Sequence, residues 1–269
     1  MTYQTLDVDV TDRVATIWLN RPDVRNALNE TVIAELDDAL KRLGERDDVR
    51  VIVLAGRGKA FSAGADLQWM QRMATYSASE NEADAMRLAA MLQTLNDCPK
   101  PTVARVHGAA FAGGMGLVAA CDIVVAATTV EFCLSEVRIG LVPATISPYI
   151  VQKLGAAATR RYMLTAERIS AAEAHWSGWV HAVCAPEEID ASIGKFTTAL
   201  LAGGPAALAQ SKALIGAVEN QPIDGELIAR TAKLIANVRA SAEGREGVDA
   251  FLHKRTAEWV SQSFAGEAR

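Results

Sequence analysis

The chain has 269 residues, half of them hydrophobic, and a formal charge of −5. That length and composition suit one large buried core with a smaller appendage and exclude a disordered chain. The acidic balance leaves no chain-wide positive field for nucleic acid or an anionic membrane, and no apolar run reaches the roughly 20 residues that span a bilayer.

The opening residues, MTYQTLDVDV, alternate acidic and apolar positions and lack the basic-then-apolar pattern of an export signal, so a cytoplasmic location is expected. TLDVDV and RVATIWLN alternate apolar and polar residues across Thr11-Asp12, which predicts a half-buried hairpin. Val32, Ile33, Leu36, Leu40 and Leu43 recur at helical spacing within 29–46. The next run, VRVIVLAG, is continuously apolar, as in a strand buried on both faces. A short helix is predicted over 66–73, a long one over 82–96, and a second buried strand in PTVARVHG. The alternation continues with a helix over 113–120, strands in DIVVAA and VEFCLS, and helices over 147–154 and 156–165. Beyond about residue 200 the strands stop, and Pro205 opens a helical tail with its longest pieces over 224–239 and 242–260. An α/β body over 1–200 and a helical region over 201–269 are therefore expected.

Two segments carry glycine where a strand passes into a helix: KAFSAGADLQWM (59–70) and AAFAGGMGLVAACD (109–122). The first N–H groups of a helix have no internal partner and sit at the positive end of its dipole, so such junctions favour an anionic oxygen. If the two loops met, the N–H groups of Ala65 and Gly113 could point at one oxygen and stabilise an enolate or tetrahedral anion. Taken singly, each loop also reads as a tight turn. Neither GxxxxGK[ST] nor a strand-GxGxxG-helix is present. Cys98, Cys121, Cys133 and Cys184 lie far apart in apolar company without a CxxC pair, so buried reduced thiols and no metal site are expected. His107, His175, His181 and His253 form no HxxxH or triad ordering and are assigned packing or surface roles, His107 being the candidate exception.

RPDVRNAL (21–28), KAFSAGADL (59–67), HGAAFAGGMGL (107–117), FCLSEVRIGLVP (132–143) and AFLHKR (250–255) together resemble, in order and spacing, the crotonase or enoyl-CoA hydratase/isomerase superfamily. The resemblance covers nearly the whole chain. It implies a spiral of ββα units followed by C-terminal helices that pack trimers, commonly paired into hexamers. It also implies an acyl-CoA thioester as substrate, with CoA part of that substrate, no separate cofactor and no metal. Ala65 and Gly113 are then the oxyanion-hole donors, and Val24, Arg25, Ala27, Ala63, Asp66 and Leu67 contact the CoA moiety. Phe251 and Lys254 would reach adenine and phosphate near a subunit boundary. Read on their own, Phe251 is a core anchor and Lys254 a solvated charge.

Hydratases of this family commonly use two glutamates. Here the first position is Gly116 and only the second, Glu136, remains. A lone Glu136 could serve both proton transfers of a hydration, or move a proton between carbons as in a Δ3,Δ2-enoyl-CoA isomerase. On its own the residue reads as a partner for Arg138, but its place between FCLS and VRIGLVP favours burial and a shifted pKa. SEVRIGLVPATISPY with the glutamate-free GGMGLVAACD resembles the branch hydrating 3-methylglutaconyl-CoA and isohexenylglutaconyl-CoA, in leucine and acyclic terpene breakdown. A second substrate carboxylate would want a cation, with Arg138, Arg160 and Arg161 as candidates. General enoyl-CoA hydratase is the other enzymatic reading. RNA binding, credited to some members of that branch, is disfavoured by the acidic balance.

Overall fold

The computed structural model describes residues 2–260. The chain divides into two compact units, Met1–Cys98 with Thr102–Gly194, and Pro99–Pro101 with Lys195–Arg269.

In the first unit, β1 (Leu6–Thr11) and β2 (Val14–Leu19) form an antiparallel hairpin. Asp12 and Arg13 turn it with φ of 49° and 67°, the left-handed pair that matches the twist of the flanking strands. Helix α1 (Glu30–Glu45) starts where the Asn29 side chain accepts the Val32 N–H, and it buries the five apolar residues of its stripe. Strand β3 (Val51–Gly56) is buried at every position. Then come α2 (Leu67–Met73), α3 (Ala78–Asn96), β4 (Thr102–Val106), β5 (Ala110–Phe111) and α4 (Gly113–Ala120). Next are β6 (Ile123–Ala127), β7 (Glu131–Cys133), α5 (Ser147–Thr165), β8 (Ile169–Ser170), α6 (Ala171–Trp176) and β9 (Ala182–Cys184). Helix α7 (Ile189–Ala202) carries the chain from one unit to the other.

One sheet has the order β1-β2-β3-β4-β6-β9, parallel from β2 onward, and a smaller one the order β5-β7-β8. Because β3 and β4 are parallel neighbours, their C-terminal ends share one edge, and both glycine loops leave from it. The β5-β7-β8 sheet begins in the second of these loops, at Ala110.

Three boundaries differ from the sequence reading. Helix α3 begins four residues before 82 because Ser77 and Glu80 form a reciprocal capping box over a polar first turn that carries no apolar stripe. The helices expected on either side of Gly155 run on as one element broken at that residue, whose φ is +71°. In the second unit, α8 (Pro205–Val218), α9 (Gly225–Ala240) and α10 (Ala242–Leu252) follow. Helix α10 stops at Leu252 rather than 260. Lys254 adopts φ of +54°, and the Arg255 N–H returns to the Ala250 carbonyl, closing the helix end.

Candidate active site

Four short stretches far apart in sequence lie side by side. Leu28 bridges Ala65, Ser62 bridges Ala110, and β5 pairs with β7 through Ala110↔Phe132 and Phe111↔Cys133. The hydrogen bonds run across the whole seam. Leu28 N–H donates to the Gly64 carbonyl (2.7 Å), Phe111 N–H to the Ser62 carbonyl (2.9 Å), and Ala112 N–H to the Cys133 carbonyl (2.8 Å). The RNAL stretch, the AGAD loop, the GG loop and the segment entering Glu136 thus form one narrow ladder.

Two N–H groups of this ladder are left over. Asp66 N–H and Leu28 N–H make the bridge to either side of Ala65, so the Ala65 N–H faces away from Leu28 and has no hydrogen bond among the described residues. Gly113 is the first residue of α4, and its N–H is likewise unpaired among them. The two are brought together by their predecessors: a Cβ on Gly64 would lie 3.0 Å from the Ala112 Cβ, and Ala65 and Gly113 follow directly on each chain. Gly64 has φ of +95°, and Ala112, at φ 47° and ψ −120°, is in a strained conformation for a residue with a side chain. A methyl on Gly114 would lie 2.6 Å from the Ser62 carbonyl oxygen. The small residues of both loops are therefore what lets the two backbones touch.

The residues expected to contact CoA, Val24, Arg25, Ala27, Ala63, Asp66 and Leu67, line a single cleft of about 600 Å³ together with Ala65. Val24 and Leu67 are apolar yet exposed there, 43% and 76%, and Arg25 makes no ion pair among the described residues. Sequence reasoning passes over the residue that holds the cleft together. Arg21 donates from Nη1 to the Ala27 carbonyl (2.5 Å) and from Nη2 to Asp66 Oδ2 (2.8 Å), tying one wall to the other. Asp66 Oδ1 in turn accepts the Gln68 and Trp69 N–H groups and caps α2. Burial opposes the charge on Asp66, but the Arg21 guanidinium and the two N–H donors outweigh it and hold the carboxyl below its ordinary range.

Replacing Arg21 by Gln is expected to cost about 1–3 kcal/mol, the penalty for a buried carboxylate that loses its charged donor. With the acyl-CoA substrate that the family resemblance implies, KM should rise more than kcat falls. Because the Asp66 pKa is depressed in the fold, the stability this pair adds is present above the ordinary carboxyl value of 3.8 and is lost as pH falls through the folded value. Denaturant titrations of both proteins should show the gap at pH 7 closing in acid.

Glu136 opens a single helical turn (Glu136–Ile139) three residues beyond Cys133, whose carbonyl holds Ala112. Its Oε2 is buried without a hydrogen-bond partner, and burial pushes its carboxyl above the ordinary range. Arg138 is not its partner: that guanidinium donates to the Ala166 carbonyl at 2.7 Å, and Arg161 is bound to Glu167. The burial expected from the flanking apolar runs holds for Oε2 while the residue as a whole is half-buried, and the ion-pair reading fails. At Gly116 the site holds no room for a second acid. A Cβ there would overlap Ile146 Cγ2, a contact 30 residues distant that no local pattern announces.

Phe251 and Lys254 belong to the second unit, at and just beyond the last turn of α10. Phe251 is 82% exposed, which corrects the reading of it as a core anchor: the stripe of α10 buries Ala250 instead. His107 Nε2 lies 2.9 Å from the Gly58 carbonyl and ties together the bases of the two glycine loops, and burial pushes the pKa of its ring below the ordinary value. Three cysteines are buried and Cys184 is half-buried, and none of the four is joined in a disulfide. No cluster of three metal-ligating side chains occurs among the described residues.

The sequence profile described as Enoyl-CoA hydratase/isomerase matches residues 9–262. A crotonyl-CoA hydratase of Syntrophomonas wolfei is 30% identical over 264 residues, covering 97% of this chain and 100% of that protein. The crystal structure of an enoyl-CoA hydratase from Shewanella pealeana superposes with a TM-score of 0.93 at 40% identity, over 95% of this chain and 96% of that one. Pseudomonas aeruginosa AtuE does so with a TM-score of 0.92 at 32% identity, over 96% of this chain and 100% of that one. With an α/β crotonase fold and the ladder just described, this chain belongs to the enoyl-CoA hydratase/isomerase superfamily.

Proposed function

We propose that the protein is an enoyl-CoA hydratase that adds water reversibly across the α,β-double bond of an acyl-CoA thioester. The observation that carries this is the pair of N–H groups, Ala65 and Gly113, unpartnered among the described residues, on a ladder that also delivers Glu136, a half-buried acid whose Oε2 is buried and has no partner among them. The thioester oxygen sits between the two N–H groups, which strengthen their hold as it takes up negative charge. Glu136 accepts a proton from water while the water oxygen bonds to the β-carbon, and the double-bond electrons move onto the thioester oxygen as an enolate. Glu136 then returns that proton to the α-carbon and the carbonyl re-forms. Water is the only other reactant, so the chemistry closes without a metal or redox group. The relatives described as hydratases support the same reaction class.

The CoA moiety lies in the cleft of Val24, Arg25, Ala27, Ala63, Asp66 and Leu67, with the Arg25 guanidinium on a phosphate. A trimer, or a dimer of trimers, is supported by the apolar side chains that the second unit leaves exposed, among them Ile228, Ile235 and Val248. In that assembly Phe251 and Lys254 reach the adenine end of a CoA. Four cysteines that form no disulfide accord with a cytoplasmic enzyme.

As acyl group we favour 3-methylglutaconyl or a related branched glutaconyl chain, the choice that the single-acid site and the SEVRIGLVPATISPY stretch suggest. Crotonyl-CoA, 3-methylglutaconyl-CoA and a 3-enoyl-CoA should be assayed side by side. Loss of enoyl-thioester absorbance with the branched substrate at the highest kcat/KM is the expected result. Conversion of the 3-enoyl to the 2-enoyl thioester without water addition would replace the hydratase by an isomerase.

A further inference from the structure

Residue 116 lies three positions beyond Gly113 on α4, on the same side of the helix. Whatever fills its side-chain space therefore stands beside the acyl carbons once a thioester oxygen is held at the Gly113 N–H. That space is taken by Ile146, whose Cβ would lie 2.8 Å from a Cβ at 116 and whose Cγ2 would lie closer still. Ile146 has little freedom to yield. It is 2% exposed and β-branched, hence stiff about its first side-chain torsion. Its backbone is pinned as well: its carbonyl accepts the Ile150 N–H, and the preceding Ala144 carbonyl accepts both the N–H (3.2 Å) and the hydroxyl (2.8 Å) of Ser147.

Building on the thioester reading above, we propose that Ile146 is a specificity-determining residue: it sets a branched hydrocarbon wall beside the acyl carbons where an acid at 116 would stand, and that wall limits the size of the β-carbon substituent. Enoyl thioesters whose β-carbon carries hydrogen or methyl as its branch beside the main chain, 3-methylglutaconyl-CoA among them, fit against it, and those with larger branches are turned away. Gly116 and Ile146 form a packed pair in which neither can change alone. A carboxylate at 116 is excluded by the isoleucine, and the exclusion leaves Glu136 as the acid serving both carbons.

The test compares wild type, I146V and I146A on crotonyl-CoA, 3-methylcrotonyl-CoA and 3-ethyl-2-pentenoyl-CoA. One or two methylene groups in an apolar pocket change discrimination about 10–200-fold. In I146A, kcat/KM for the ethyl-branched thioester relative to crotonyl-CoA should rise by about tenfold or more, chiefly through KM, with I146V shifting the same way by less. An equal change for all three thioesters would mean that Ile146 only supports the fold, and the proposal is wrong. Melting temperatures give a second reading that needs no turnover. G116E should melt below wild type, and adding I146A to it should restore part of the loss. Losses that simply add would show that the two positions are not packed as a pair, which overturns the proposal. Glu136→Gln run alongside separates the two claims. If it abolishes hydration while the I146A ratio stays flat, the wall is wrong and the hydratase reading stands; if hydration survives it, the reading beneath both has failed.

Discussion

Glu136→Gln is expected to lower kcat for the preferred enoyl thioester by about 10²–10⁴-fold, the usual worth of a positioned proton-transfer group, with little change in KM. Among the described residues it forms no ion pair that would make it a structural ion, and its Oε2 is buried without a partner. The same change should alter stability in the opposite sense. Burial raises the Glu136 pKa above its ordinary 4.5, so the fold disfavours the ionised form. The cost is absent below 4.5, where the group is neutral in both states, and is full once pH exceeds the folded value. The glutamine variant should therefore melt above wild type at pH 8 and lose that advantage towards pH 4. In wild type, kcat/KM should fall in acid with a midpoint above 4.5, as the base is protonated earlier than an exposed glutamate. A variant that keeps full turnover would remove the single-acid mechanism.

Gly114→Ala should damage activity through the backbone alone. The added methyl would press on the Ser62 carbonyl oxygen at 2.6 Å and the Ser62 Cβ at 2.8 Å. Ser62 cannot retreat without breaking three bonds: its hydroxyl donates to the Asn26 carbonyl, its N–H to the Ala109 carbonyl, and its carbonyl accepts Phe111 N–H. The strain is relieved by parting the two loops, which carries the Ala65 N–H away from the Gly113 N–H. Overpacking of this kind costs about 1–3 kcal/mol, and loss of one oxyanion donor about 10²–10³ in kcat. Stopped-flow turnover together with thermal melts would separate the two effects. A variant that melts lower yet turns over normally would place the reaction elsewhere.

The long elements are legible in the sequence where one face is buried and the spacing is regular. The stripe of α1 and the continuous apolar run of β3 are of this kind. Strands as short as β5, β7 and β8 exist because of the neighbours they pair with, and of these three only β7 leaves a local signal. The start of α3 rests on a cap rather than a stripe, so periodicity places it too late. The end of α10 is set by a left-handed Lys254 that composition does not announce, so periodicity carries that helix too far. The candidate site divides in the same way. Ala65, Gly113 and the cleft residues follow from ordered motif blocks. Arg21 and Ile146 act on partners 45 and 30 residues away, Asp66 and Gly116, and only the folded chain reveals them.

The claim on which the rest depends is that two main-chain N–H groups converge on one thioester oxygen. Infrared difference spectra of bound butyryl-CoA, a saturated and unreactive thioester, with ¹³C at its carbonyl measure this directly. The carbonyl stretch should move to lower frequency on binding to wild type, and the shift should shrink in the Gly114→Ala variant. A bound carbonyl absorbing where it does in water, in a complex of normal affinity, would contradict the account.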